Sequence, residues 1–272
     1  NTFGGKPLTY DDQMLVRHSQ QGSLEFIATI HVDDIKVACP ENIFWEFIRI
    51  LEQVFGSGEL DITRDNFTNC GIRHTLTPQG YDMDQTEYLQ ALKPIQHSDL
   101  TGKPADQTAA PLVQQMFHSL VMAVAYTLIT RVDLCVYCVA LQRVTAAPSN
   151  LHVRRLNALV RWAQRNPLAV KYCKMKCGMC LRTFTDAGFK REESTNGITV
   201  ATGRAVRGAV YIRMASNSPV AGRVIAPVVP SSLYGHLIDW HCGSIKQVTR
   251  ATFTSEALAA IAASDHSIML AY

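Results

Sequence analysis

The sequence has no long unbroken apolar run, no internal repeat and no low-complexity tract. The first absence argues against an obvious membrane span, the second against a solenoid, and the third against a flexible linker protein. Its most apolar stretch, around Leu120–Leu141, is interrupted by Arg131 and Asp133, so it is expected to be buried helix. Charge is also scarce: 18% of residues are charged and the formal net charge is +3, so bulk charge does not announce a nucleic-acid binder. No basic-then-apolar leader is visible, and the eight cysteines are therefore expected to be reduced thiols in an intracellular compartment. The chain opens without methionine and closes on Met269-Leu270-Ala271-Tyr272 inside an apolar helical pattern, so both ends are expected to be cuts in a longer chain.

What is present is globular composition. Hydrophobic residues make up 47% of the 272, enough for one large or two ordinary domains. Leu24–Ile30 with Val32, then Asp33-Asp34, then Ile35-Lys36-Val37, predicts strand, acidic turn, strand. Ile43, Phe44, Phe47, Ile48, Leu51 and Phe55 recur at helical spacing over Asn42–Phe55, and Gly56-Ser57-Gly58 stops that helix. Phe67–Leu76 and Tyr81-Asp82-Met83 predict a hairpin turning at Pro78-Gln79-Gly80, followed by a short helix over Asp84–Leu92. Residues 97–110 lack apolar period and are expected to be a linker. Gln114–Val144 predicts two helices split near Thr130–Asp133, and Leu151–Arg165 a further helix after Pro148-Ser149-Asn150. Beyond Val170 the texture turns to strands, at Cys180–Thr185, Val206–Met214 and Leu237–His241, with helix from Thr252.

Three groups of residues bear on chemistry. The first is Asp33-Asp34. Adjacent carboxylates at a hairpin turn repel one another unless a cation intervenes, and magnesium, which takes oxygen ligands, suits them. Two-metal phosphoryl transfer uses such an arrangement. The plainer alternative is an ordinary turn, where Asp is favoured. The second is the helix over Leu151–Arg165. Leu156, Leu159, Val160 and Ala163 form its apolar stripe, while Arg154, Arg161 and Arg165 share another face about two to three turns apart. Such a row can track a phosphate backbone, or it can be a solvated face. The third is Cys173-x3-Cys177-x2-Cys180, whose spacing could hold an iron–sulfur cluster or, with a fourth ligand, zinc. Cys135-x-x-Cys138, inside an apolar helix, is most simply buried packing.

The order of several short motifs resembles the polyprotein of copia-type LTR retrotransposons. Phe26-Ile27-Ala28-Thr29-Ile30-His31-Val32-Asp33-Asp34-Ile35 resembles the Tyr/Phe-Val-Asp-Asp hairpin of reverse transcriptases, with His31 in place of the aromatic. Val54-Phe55-Gly56, Cys70-Gly71-Ile72 and Gln85-Thr86-Glu87-Tyr88-Leu89 follow in the family's order. Ala125-Tyr126 with Thr130-Arg131-Val132-Asp133 is similar to its Tyr-Leu and Thr-Arg-Pro-Asp segments, with Val132 where Pro is usual. Pro148, His152, Arg161 and Trp162 resemble its next helix. Thr185-Asp186-Ala187, Ile238-Asp239-Trp240 with Lys246-Gln247, and Thr254-Ser255-Glu256-Ala257 resemble the opening of its ribonuclease H domain.

The resemblance implies an α+β chain. It would comprise the C-terminal part of a reverse-transcriptase palm over 1–96, a linker and helical connection over 97–169, and a truncated ribonuclease H-like α/β domain over 170–272. It implies RNA-directed DNA polymerase and hybrid-cleaving ancestry, with Asp33 and Asp34 holding polymerase magnesium and Asp186 and Glu256 holding nuclease magnesium. Arg154, Arg161, Arg165 and Lys246 would contact nucleic acid. The implied partners are RNA/DNA template-primer, RNA–DNA hybrid and the rest of the polyprotein, in cytoplasm, nucleus or a virus-like particle, with no membrane. The third palm carboxylate and two further nuclease acids would fall outside this chain, and Asp265, nine residues after Glu256, falls on the opposite helix face. The isolated chain is therefore expected to have little or no catalysis. Two alternatives stay open: a non-catalytic remnant that binds nucleic acid, and a cysteine-ligated metal protein.

Overall fold

A computed structural model describes residues 3–175, 179–188, 206–215, 235–245 and 251–271. They form an α+β chain with antiparallel sheets and two compact units, Asn1–Cys70 and Gly71–Tyr272. The sequence boundaries at 96/97 and 169/170 lie inside the second unit.

The first unit is an antiparallel sheet in the order β1 (Lys6–Pro7), β2 (Met14–His18), β3 (Leu24–His31), β4 (Asp34–Ala38), followed by α1 (Glu41–Phe55) and the short strand β5 (Asn66–Asn69). Period-2 alternation along β3 buries Phe26 and Ala28, and the helical period of α1 buries Ile43 and Phe47 against them. The rings of Phe3, Phe26 and Phe47 pack with centroids 4.7, 5.1 and 5.0 Å apart, geometry that adds to their burial. Arg17 lies over the Phe3 ring at 4.9 Å and donates to Glu25, Glu46 and the Phe3 carbonyl. Gly56, at φ 108°, stops α1 in a conformation that a side chain would strain. The run expected as one strand over Phe67–Leu76 is broken, because Cys70 (φ 48°) and Gly71 (φ 68°) both take left-handed backbone.

The second unit begins with β6 (Ile72–Thr77) and β7 (Gly80–Asp84), an antiparallel hairpin. Then come α2 (Thr86–Ala91), α3 (Pro111–Tyr126), α4 (Cys135–Gln142) and α5 (Asn150–Arg165). Two single 3-10 turns, Thr127–Ile129 and Val132–Leu134, separate α3 from α4, which is where the sequence placed the split. The helices share one core that includes Val113, Phe117, Val121, Leu134, Val153 and Leu156. The segment Pro111–Ile129 is long and apolar enough by composition to cross a membrane, and its Val113, Phe117, Leu120, Val121, Val124 and Leu128 belong to this core. Residues 97–110 carry a 3-10 turn at Ser98–Leu100 and a single antiparallel bridge from Thr108 to Ser149, and they dock onto the start of α5. Leu151 N–H donates to the Ala105 carbonyl, and Asn150 Nδ2 to the Pro104 carbonyl.

β8 (Val170–Cys173) adds to β7, and β9 (Met179–Gly188), β10 (Val206–Ala215) and β11 (Gly235–Ser244) form a separate sheet in the order β11-β10-β9. α6 (Thr252–Ala271) lies on one face of that sheet, where Thr183 hydrogen-bonds Ser267 and Ala209, Tyr211 and Ala263 are buried together. The opposite face of β11 puts Trp240 against the helical core.

Candidate functional site

The acidic turn is built by β3 and β4. His31 pairs with Asp34, so Val32 and Asp33 are the two central residues of the hairpin. Only Val32 of the two has positive φ, 53°, the pattern of a type II′ turn, which normally takes Gly there. The β-branched Val32 is thus strained, and it is also 82% exposed. Asp33 and Asp34 both face solvent, Asn69 Nδ2 donates to Asp34 Oδ2 at 3.4 Å, and no described cation pairs with either carboxylate.

The second acidic pair is placed differently. Asp186 is exposed on β9, opposite Gly208 of β10. Its neighbour Ala187 is buried, and Thr183 bonds α6, so strand alternation puts residues 183, 185 and 187 on the α6 side and Asp186 on the other. Glu256 is half-buried on α6. The described contacts do not bring Asp186 and Glu256 together. Among the described residues no group of three His, Cys, Asp or Glu side chains could hold a metal. Among the described residues the donor set needed for two-metal chemistry is not assembled, and no reaction step follows from it.

The α6 side of the sheet carries polar residues that sequence reasoning did not single out. His266 Nε2 lies 2.7 Å from Asp239 Oδ2, and its ring packs on Tyr211 with centroids 4.7 Å apart. Arg207 Nη1 donates to the Leu258 carbonyl at 3.4 Å, while its buried Nε has no partner among the described residues. Burial, with Arg207 and His266 nearby, lowers the His241 imidazole, and burial with the Asp239 charge raises the Tyr211 phenol. Asp239 stands inside a motif already noted in the sequence; His266 is found only by following the buried stripe of α6.

Several motif residues meet as a scaffold. Thr130 Oγ1 donates to Gln85 Oε1 at 3.0 Å, Gln85 Nε2 to the Tyr126 carbonyl at 3.4 Å, and the rings of Tyr88 and Tyr126 meet edge to face at 5.2 Å. Arg131 is clamped on Asp133. His152 caps α5, accepting the Ser149 backbone N–H at 3.0 Å.

The arginine helix presents its basic residues to solvent. Val153, Leu156, Asn157 and Val160 are buried, whereas Arg154, Arg161 and Arg165 are exposed. Asn157 fixes the strap in front of the helix by exchanging hydrogen bonds with the Ile95 backbone at 2.7 and 2.8 Å. The result is a groove of about 330 Å³ whose walls include His97, Thr101, Arg154 and Arg161 and no carboxylate. Neither arginine makes an ion pair with a described carboxylate; Arg154 Nη2 donates only to the Lys103 carbonyl, at 2.8 Å. Arg165 lies outside the groove, its Nε donating to the Arg161 carbonyl at 3.2 Å. Lys246 and Cys177 lie outside the described residues. Of the remaining cysteines in that triplet, Cys173 is on β8 and Cys180 on β9.

The half-buried Cys135 stands at the first position of α4, which packs on β11, the strand that carries Cys242. The Cys242 thiol nearby, with the Val136 backbone N–H, lowers the Cys135 thiol to about 7 against the opposing effects of burial and Asp133. The Cys135 thiol and burial in turn raise Cys242, and burial pushes Cys138 up to about 11.

Comparison with protein-family models, with curated proteins and with solved structures gives no match for this chain.

Proposed function

We propose that this chain is a stretch of a copia-type retrotransposon polyprotein, spanning the end of the reverse transcriptase and the start of the ribonuclease H domain. The observation that carries the proposal is the solvent-facing Asp33-Asp34 pair at the tip of a strained two-residue hairpin. A β-branched residue held at positive φ at a hairpin tip is a costly feature that stability alone does not favour. The ordered motif series after that hairpin supports the same reading. In this reading magnesium, when bound, would supply charge stabilisation for phosphoryl transfer, with Asp33 and Asp34 as its palm ligands; Asp186, on the face of β9 away from α6, and Glu256, on α6, do not meet as one nuclease site among the described residues.

The isolated chain is proposed to have little or no catalysis, because neither pair is joined by a third acid among the described residues. Primer-extension and hybrid-cleavage assays with magnesium test this. Turnover at or near background is expected; robust turnover, lost on changing Asp33→Asn or Asp186→Asn, would contradict it.

A second reading, a non-catalytic nucleic-acid binder, is favoured by the carboxylate-free groove with Arg154 and Arg161 on its wall. Seven residues of helix separate the two arginines by two turns, about 10 Å, so they can meet different phosphates of one strand.

A further inference from the structure

We propose that the exposed face of α5 binds single-stranded nucleic acid, with phosphates on its arginines and an unpaired base stacked on Trp162. The proposal rests on the reading of the chain as a nucleic-acid binder, and adds to it the class of strand and the side chain that selects it. It stands on placement. Arg154, Arg155, Ala158, Arg161, Trp162 and Arg165 are all exposed. By helical periodicity they share about a third of the circumference of α5. The helix carries no Asp or Glu, and none of its four arginines forms an ion pair among the described residues. Four unneutralised cations on one face suit a polyanion.

Trp162 is the side chain that selects an unpaired base. It is 45% exposed, and the guanidinium of the buried Arg131 backs its ring, 5.7 Å from the centroid. The Arg131 charge is balanced by Asp133, so it supports the indole rather than a phosphate. Along the helix the indole is flanked by the small Ala158, one turn before, and by the cation of Arg165, nearly one turn after. Bases inside a duplex stack on one another and cannot lie on this ring; those of a single strand can. The platform is also pinned from behind. Gln164 Nε2 donates to the Leu89 and Leu92 carbonyls at 2.9 and 2.8 Å, and Asn157 is bonded to the Ile95 backbone.

Arginines around a tryptophan would also suit an anionic lipid surface, but a helix that lies on a membrane needs a free apolar face. Here that face is occupied: Val153, Leu156 and Val160 are fully buried in the helical core. Trp162 is the only large apolar side chain among the exposed residues of α5. From Arg154 to Arg165 the helix rises about 16 Å, enough to follow a few nucleotides of one strand.

The test is anisotropy of a short labelled oligodeoxythymidylate, and of a blunt DNA duplex of equal length, titrated with the full chain at stepped salt. The single strand should bind more tightly. Trp162→Ala should weaken that binding about tenfold with the salt slope unchanged, and Trp162→Phe should keep most of it. Arg155→Ala with Arg165→Ala should lower the slope instead. A thiothymidine strand photocrosslinked to the unsubstituted chain should label Trp162, a readout that does not depend on any variant folding. Salt-dependent binding that shows no preference for the single strand and is unchanged by Trp162→Ala would overturn the stacking site while leaving phosphate binding in place. Absence of binding to either probe would remove both. Binding to vesicles of anionic phospholipid without binding to the strand would assign the face to a membrane and overturn the proposal.

Discussion

Arg131, only 1% exposed, places Nε and Nη2 on the two carboxylate oxygens of Asp133, at 3.0 and 2.8 Å. Its Nη1 reaches the Ala163 carbonyl at 3.3 Å, and its guanidinium lies 5.7 Å from the Trp162 ring centroid. One buried cation thus ties the turn before α4 to the end of α5. Removing the carboxylate would leave that cation buried and unpaired, which is costlier than losing the pair's own attraction. Asp133→Ala is expected to destabilise the second unit by about 3 kcal/mol, read as a lower urea midpoint with unchanged slope. An unchanged midpoint would show that the pair carries no stability.

The hairpin tip gives a prediction of opposite sign. Val32 is held at φ 53° in a turn position that suits glycine. Val32→Gly removes the strain at the expense of chain entropy in the unfolded state. A net gain of about 1 kcal/mol is expected, visible as a higher melting temperature of the first unit. A loss of stability would show that the exposed valine is not strained.

Acid should act on the second unit through Asp84. Burial pushes this carboxyl up, but the Thr86 hydroxyl and N–H and the Arg73 guanidinium outweigh it and hold it below the usual carboxylate value. Thr86 N–H donates to Oδ1 at 2.9 Å and Arg73 Nε to Oδ2 at 3.1 Å. A carboxyl with a lowered folded pKa stabilises the fold above its unfolded value, and that contribution is lost as pH falls through the lowered value. Stability should therefore decline on acidification below about pH 4. Asp84→Asn should flatten that limb in unfolding curves recorded across pH; an identical acid limb in the variant would refute the assignment.

Strong local patterns made much of the fold legible in the sequence. The alternation in β3, the helical period of α1 and α5, and the charged break at Arg131–Asp133 all mark elements the structure contains. β2, Met-Leu-Val-Arg-His, has no alternation and was not anticipated, because its half-buried residues face neither a full core nor open solvent. Residues 97–110 read as free linker, since backbone carbonyls caught by Asn150 and Arg154 leave no trace in an apolar pattern. The site was less legible. Which face of β9 carries Asp186 depends on strand phase, and one residue of register reverses it. The packing of α4 on β11 joins segments far apart in sequence, so spacing could not reveal it, and Cys135 with Cys138 reads simply as packing.

The proposed polyprotein ancestry and the arginine-lined groove together lead to one expectation: phosphate-mediated binding of nucleic acid without turnover by this chain. The most direct test is anisotropy of a labelled RNA–DNA hybrid titrated with the chain at stepped salt concentrations. Binding should weaken as salt rises, and Arg154→Ala with Arg161→Ala should reduce the slope of log K against log salt by roughly one to two. Absence of hybrid binding at low salt, or a double variant that binds with unchanged affinity and slope, would contradict it.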